Sequence, residues 1–326
     1  EDRERFDKAM KAIDLDTPAS KPAESAALDE SGEHPPHTGQ DIRMMSTFME
    51  RRELGRTGMY TSRLGIGSSF GASTRVIEDA FHRGINYLYW GTIRRPAFGR
   101  AIRNLAKTHR DELILTVQSY SRLPRLIAPS VELALRRAGL EYFDFLLLGA
   151  RNQIPSDDYI EAFERLRDQG KVRFLSLSSH NRPLLPEFLE ADTQGLSPYE
   201  VLMLRYNAAH RGAESEVFPY VPREGGPGII AYTATRWGHL LDPTKMPPGE
   251  HPVAARDCYR FALSHPAVDM VLCGPANAEQ MNEAISALEA GPLAEDERQR
   301  LEKIGDWVYK SFRPLHADAG ESRKSQ

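Results

Sequence analysis

The sequence predicts an α/β fold, a (β/α)8 barrel entered through an N-terminal β-hairpin, and three observations predict it. Eight short apolar segments suited to buried strands recur along the chain. Amphipathic helical stretches lie between them, which favours a parallel sheet covered by helices. The eight units occupy about 240 residues, the size of a closed barrel of this kind.

The elements follow in order. Residues 1–48 contain eleven Asp and Glu against six Lys and Arg, few large apolar side chains, and Pro18, Pro22, Pro35 and Pro36. Burial there cannot offset the entropy of ordering, so a disordered acidic tail is expected. The barrel is expected over 49–315 and a disordered C-terminal tail over 316–326. Leu54-Gly55-Arg56-Thr57-Gly58 and the following Tyr60 to Leu64 read as a hairpin turning on its glycines.

Strands are expected at Leu64–Gly67, Ile85–Tyr89, Leu113–Val117, Phe143–Leu148, Val172–Leu177, Val201–Tyr206, Gly228–Thr233 and Met270–Cys273. Phe98, Ala101, Ile102 and Leu105 recur at helical spacing after Arg94, Arg95 and Pro96, placing two cations on a strand-to-helix loop. A second helix runs from Pro129 to Gly139. Ser156 caps a third, which carries Ile160, Phe163 and Leu166 on one face and closes at Gly170. Asn277 with Gln280 three residues on is a capping-box pattern ahead of Met281, Ala284, Ile285 and Leu288, and Leu293 to Phe312 reads as a closing helix.

The totals limit what the protein can do. The net charge of −4 is more than accounted for by the first 48 residues, so the body is near neutral and lacks the concentrated basic face that nonspecific nucleic-acid binding needs. Apolar runs such as Phe143–Leu148 fall far short of the roughly 20 residues that span a bilayer. Cys258 and Cys273 are too few for a disulfide framework and have no metal-ligand spacing, so neither zinc nor another metal is expected. A soluble, cytoplasmic protein with a small-molecule partner is the expectation.

Several short motifs stand in one order: Leu54 to Gly58, Gly84-Ile85-Asn86, Gly170-Lys171-Val172-Arg173-Phe174, Tyr206-Asn207, Ala231-Tyr232-Thr233, and Gly274 to Glu283. Together, over about residues 52–311, the chain resembles the aldo-keto reductases. The resemblance implies a TIM barrel that binds NADPH or NADH in extended form across its C-terminal face. It also implies a catalytic tyrosine, lysine, aspartate and histidine, and here the chain departs from the pattern. Tyr89 stands at the aspartate's place, and the loop where the tyrosine belongs is short and offers Arg94 and Arg95. Val117-Gln118 replaces the lysine, and Gly149 the histidine.

The resemblance assigns cofactor contacts to Ser178 and Ser179 at the nicotinamide amide, to Tyr232 stacking on its ring, and to Thr233, Thr235 and Arg236 around the pyrophosphate. Gly274, Asn277, Gln280 and Glu283 match the adenosine side, where ordinary helix capping explains Gln280 and Glu283 equally well. Met203 takes the place of a glutamine in the sixth strand. The candidate catalytic groups are Tyr89, Arg94, Gln118 and His180. Two readings stay open for Tyr89: an aromatic that fills the barrel, or a relocated acid whose pKa Arg94 or Arg95 lowers. Aromatics and arginines at the strand ends, among them Trp90, Tyr120, Arg151, Tyr206, His210, Arg211 and Trp237, suit a planar or anionic ligand.

Three functions are therefore carried forward. The first is an NAD(P)H-dependent oxidoreductase acting on a carbonyl or its alcohol with a rearranged proton donor. The second is a catalytically silent barrel that binds a nucleotide or an anionic metabolite, and the third a lyase or isomerase on the same scaffold.

Overall fold

The computed structural model describes residues 48–119, 121–149, 153–195, 197–222 and 224–312. The two expected tails lie outside these residues, except for Phe48. That side chain is buried, its N–H donates to the Leu288 carbonyl at 2.9 Å, and the Arg63 guanidinium lies over its ring.

The hairpin consists of β1 (Arg52–Glu53) and β2 (Tyr60–Thr61), paired antiparallel. Gly55 and Gly58 take the left-handed conformations that its turn needs, with φ of 54° and 70°. Eight strands then close into one parallel barrel: β3 (Leu64–Gly67), β4 (Tyr87–Trp90), β5 (Ile114–Ser119), β6 (Phe143–Leu148), β7 (Val172–Ser179), β8 (Val201–Arg205), β9 (Gly228–Tyr232) and β10 (Met270–Cys273). The last strand returns to the first, with Val271 opposite Leu64. Sequence and structure differ mainly at strand ends. Ile85 and Asn86 precede β4, where the Asn86 carboxamide ties the chain together, donating to the carbonyls of Tyr60 and Glu112 and accepting from Ser62 N.

The helices are α1 (Thr74–His82), α2 (Pro96–His109), α3 (Ile127–Ala138), α4 (Asp157–Asp168), α5 (Leu185–Thr193), the single turn α6 (Ala213–Glu216), α7 (Ala255–Leu263), α8 (Ala278–Ala290) and α9 (Glu295–Ser311). Helix α3 begins two residues before Pro129, which a first turn tolerates because its N–H needs no partner there. It ends at Gly139 with φ of 65°.

Along each strand alternate side chains face the barrel axis. Tyr87, Ile114, Phe145, Leu147, Val201, Met203, Ile230, Met270 and Leu272 form the interior with Leu54 of the hairpin, so β1 and β2 close the N-terminal end. Tyr87 keeps its hydroxyl satisfied by accepting from Thr116 Oγ1 at 2.7 Å, and burial pushes its phenol well above the usual range. The C-terminal ends of the strands are left to form the mouth.

Candidate active site

Continuing the same alternation upward places Tyr89 above Tyr87, Gln118 above Ile114 and Thr116, Gly149 above Leu147, Arg205 above Met203, and Tyr232 above Ile230. These residues, with Ser178 and His180 at the end of β7, form the uppermost layer at the C-terminal end of the barrel. No carboxylate or ammonium occurs among these positions.

Tyr89 is half-buried and rests on the interior cluster. Its ring lies against Gly67 and Gly91: a Cβ at 91 would come within 3.0 Å of the phenol oxygen. The glycine that ends β4 therefore gives this ring its place. Gln118 makes similar use of a glycine. A Cβ on Gly149 would overlap the Gln118 carboxamide nitrogen, so the amide lies where a side chain from β6 would begin. Its Oε1 is buried without a hydrogen-bond partner among the described residues.

The opposite wall is more polar. Tyr232 is half-buried, and its hydroxyl lies 3.3 and 3.4 Å from the two nitrogens of His180, the rings meeting edge to face at 5.7 Å. Ser178 is buried at the end of β7, opposite Met203 in register, whereas Ser179 shapes the following turn, accepting from Asn181 N and donating to Asn181 O. Beyond β9 the backbone is strained: Thr233, Arg236 and Trp237 have φ of 58°, 50° and 52°, a region that costs residues other than glycine about 1–2 kcal/mol each. Asn207 holds the start of this loop, donating to Thr233 O at 2.9 Å.

The arginines divide into several duties. Arg94 is exposed, while Arg95 reaches back to donate to Ser69 O at 2.7 Å. Arg236 was expected at a pyrophosphate. Its guanidinium is instead buried and donates to Val308 O, satisfying a carbonyl near the C-terminus of α9. Arg205, which sequence reasoning did not single out, is 5% exposed and opposite Tyr232 in register. A charged residue two positions beyond Met203, on the inward face, was the signal for it. With Arg182, Arg236 and His180 it surrounds His210, whose imidazole is held down to about 2 chiefly by burial and then by these charges.

Other expected pocket residues lie elsewhere. Trp90 is turned outward and packs on Gly99 of α2, and Tyr206 is buried, donating to Glu214 Oε1 at 2.6 Å. Tyr120 and Arg151 lie outside the described residues. At α8, Asn277 Oδ1 accepts from Gln280 N at 2.9 Å, and Gln280 Oε1 accepts from Ala276 N at 2.8 Å, a reciprocal cap. Glu283 accepts from Ala255 N at 2.8 Å and so caps α7. Gly274 lies beneath the half-exposed Phe70 ring, which a Cβ there would overlap.

A sequence model of the aldo/keto reductase family matches residues 61–254. The chain belongs to the aldo/keto reductase family. Its relatives include the L-galactose dehydrogenase of Arabidopsis thaliana, 23% identical over 74% of this chain and 89% of that protein. The oxidoreductase YqkF of Bacillus subtilis is 24% identical over 81% of this chain and the whole of that one. The holo form of aldo-keto reductase AKR11C1 from Bacillus halodurans shares the fold, with a TM-score of 0.65 at 24% identity over 82% of this chain and 99% of that one. These relatives are oxidoreductases, so the silent-barrel and lyase or isomerase readings are not favoured.

Aldo/keto reductases generally use NAD(P)H and bind small-molecule substrates. Residues of the mouth fit the nicotinamide and pyrophosphate portions of such a cofactor. Tyr232 offers a half-exposed ring at the end of β9, Ser178 a hydroxyl at the end of β7, and the strained loop after Tyr232 a fixed backbone. Towards the adenosine, one side-chain oxygen of each of Asn277, Gln280 and Glu283 already accepts a hydrogen bond within the chain. No helix among the described residues is long and apolar enough to cross a membrane.

Proposed function

We propose that this aldo/keto reductase interconverts a carbonyl and its alcohol on a small planar or anionic molecule, using NADPH or NADH and a proton donor relocated to Tyr89. The observation that carries the reading is the half-exposed Tyr89 phenol, seated between Gly67 and Gly91 at the inner end of the mouth. When bound, the cofactor supplies or accepts the hydride.

Tyr89 holds the proton that the carbonyl oxygen takes as the hydride arrives, and recovers it in the reverse direction. Tyr232 and Ser178 orient the ring from which the hydride leaves, while Thr233 and Thr235 line the path of the pyrophosphate. Asn207 fixes that path through its bond to Thr233 O. Arg205, at the end of β8 on the inward face, places a cation in the wall at the ends of β7 to β9 and favours an anionic group on the substrate, whereas Arg182 is paired with Glu216 and Arg236 is spent on Val308 O. Two buried free thiols, Cys258 and Cys273, suit a reducing, cytoplasmic setting.

The test is a fluorescence titration with NADPH and NADH, followed by turnover of a carbonyl panel. Binding and oxidation of one cofactor are expected. Tyr89→Phe is expected to keep cofactor affinity while lowering kcat by about 10²-fold or more, the usual contribution of a positioned acid. Failure of the wild-type protein to oxidise either cofactor with any carbonyl overturns the reading, and a fully active Tyr89→Phe moves the acid elsewhere.

A further inference from the structure

The Gln118 carboxamide is polar, half-buried and on the inward face of β5, yet no hydrogen bond reaches it from the described residues. Its Oε1 is buried without a partner among the described residues, and its nitrogen lies against Gly149 at the end of β6. The hydroxyls beneath are bonded to one another, Thr116 Oγ1 donating to the Tyr87 oxygen at 2.7 Å, and neither reaches the amide. A leucine or methionine would fill the same space with no unmet polar atom, so packing does not explain an amide there.

The neighbouring strand has made room for it. The nitrogen lies where a Cβ of residue 149 would stand, and Gly149 is what removes the conflict. Strands β5 and β6 stay in register up to this point, Gln118 opposite Leu147 and Ser119 opposite Leu148, so the amide crosses a well-fixed floor. Gly149 also follows directly on β6, where its N–H lies 3.4 Å from Ser119 O.

We propose that Gln118 and Gly149 work as a pair: the glycine vacates a space on the floor of the mouth, and the Gln118 N–H that fills it donates to the substrate's carbonyl oxygen. Gln118 is then a substrate-positioning residue, acting beside the Tyr89 hydroxyl on the adjacent strand. This rests on the oxidoreductase reading above and adds to it the group that fixes the carbonyl.

Three variants test the pair: Gln118→Met, Gly149→Ala and the double change. Gln118→Met removes the unpartnered oxygen, so its thermal midpoint is expected to equal or exceed that of the wild type. Reduced-nicotinamide fluorescence should report a Kd within about twofold, and kcat should fall about tenfold or more, as for loss of one donor to a developing oxyanion. Gly149→Ala displaces the amide and should bring a similar loss of kcat. The double variant should be no worse than either single one, since both act on one interaction.

A lower thermal midpoint in Gln118→Met with kcat unchanged would assign the residue to packing and overturn the proposal. So would a fully active Gly149→Ala. A wild-type protein that reduces no carbonyl overturns the underlying reading as well, and that result is seen before any variant is made.

Discussion

His210 shows at a single position how the site is charged. It is 6% exposed, its ring meets Tyr309 edge to face, and its Nδ1 lies 3.3 Å from Asn207 Oδ1. Burial and the guanidinium groups of Arg205, Arg236 and Arg182 keep it neutral in the folded chain down to about 2, whereas an unfolded chain protonates it near 6.5. The unfolded state therefore binds the extra proton, and this residue's contribution to stability is lost as pH falls below about 6.5. The loss approaches roughly 1.4 kcal/mol per pH unit. His210→Gln should thus flatten the decline in thermal midpoint between pH 7 and 5. Buried Asp144 and Asp269, whose carboxyls burial pushes up, act in the opposite direction in both proteins and cancel from the difference. At this scale the sequence offered Tyr89, Gln118 and His180 as candidate site residues, and all three lie at the C-terminal ends of β4, β5 and β7. It hid Arg205 and the service of Gly149, because both depend on which neighbour a side chain meets across the sheet.

Among the elements, the loop after β9 and helix α9 depend on each other. Arg236 leaves the loop in a left-handed conformation and spends its guanidinium on Val308 O. Arg236→Met should cost about 1.5–3 kcal/mol, the value of a charged donor to a buried carbonyl, and urea unfolding would measure it. If the loop carries the pyrophosphate, cofactor affinity should fall in the same variant. Helix ends were legible from sequence wherever a cap is local: Asn277 and Gln280 close on one another, and Gly139 ends α3. Left-handed φ at Thr233, Arg236 and Trp237 was not legible, since nothing in those side chains favours it and the surrounding contacts impose it. Glu283 was also opaque, its partner being the backbone of α7, 28 residues away in sequence.

On the scale of the whole barrel, all eight strands could be read because nearly all their residues are buried, on both faces, and so each appears as a short apolar run. The hairpin too was legible, through its glycines, but its role as the closed end was not. Gly55 is where that closure is most exposed to mutation: a Cβ there would overlap the backbone at Gly228, and φ is 54°. Gly55→Ala should cost more than about 2 kcal/mol and lower the thermal midpoint by several degrees, with cofactor affinity at the far end kept in the folded fraction. With Leu54 set like a stopper under Tyr87 and Met270, traffic through the barrel is one-way in the sense of a cul-de-sac. Anything that binds in the barrel must therefore enter and leave through the C-terminal end, and changes to the hairpin act on stability without opening a second route.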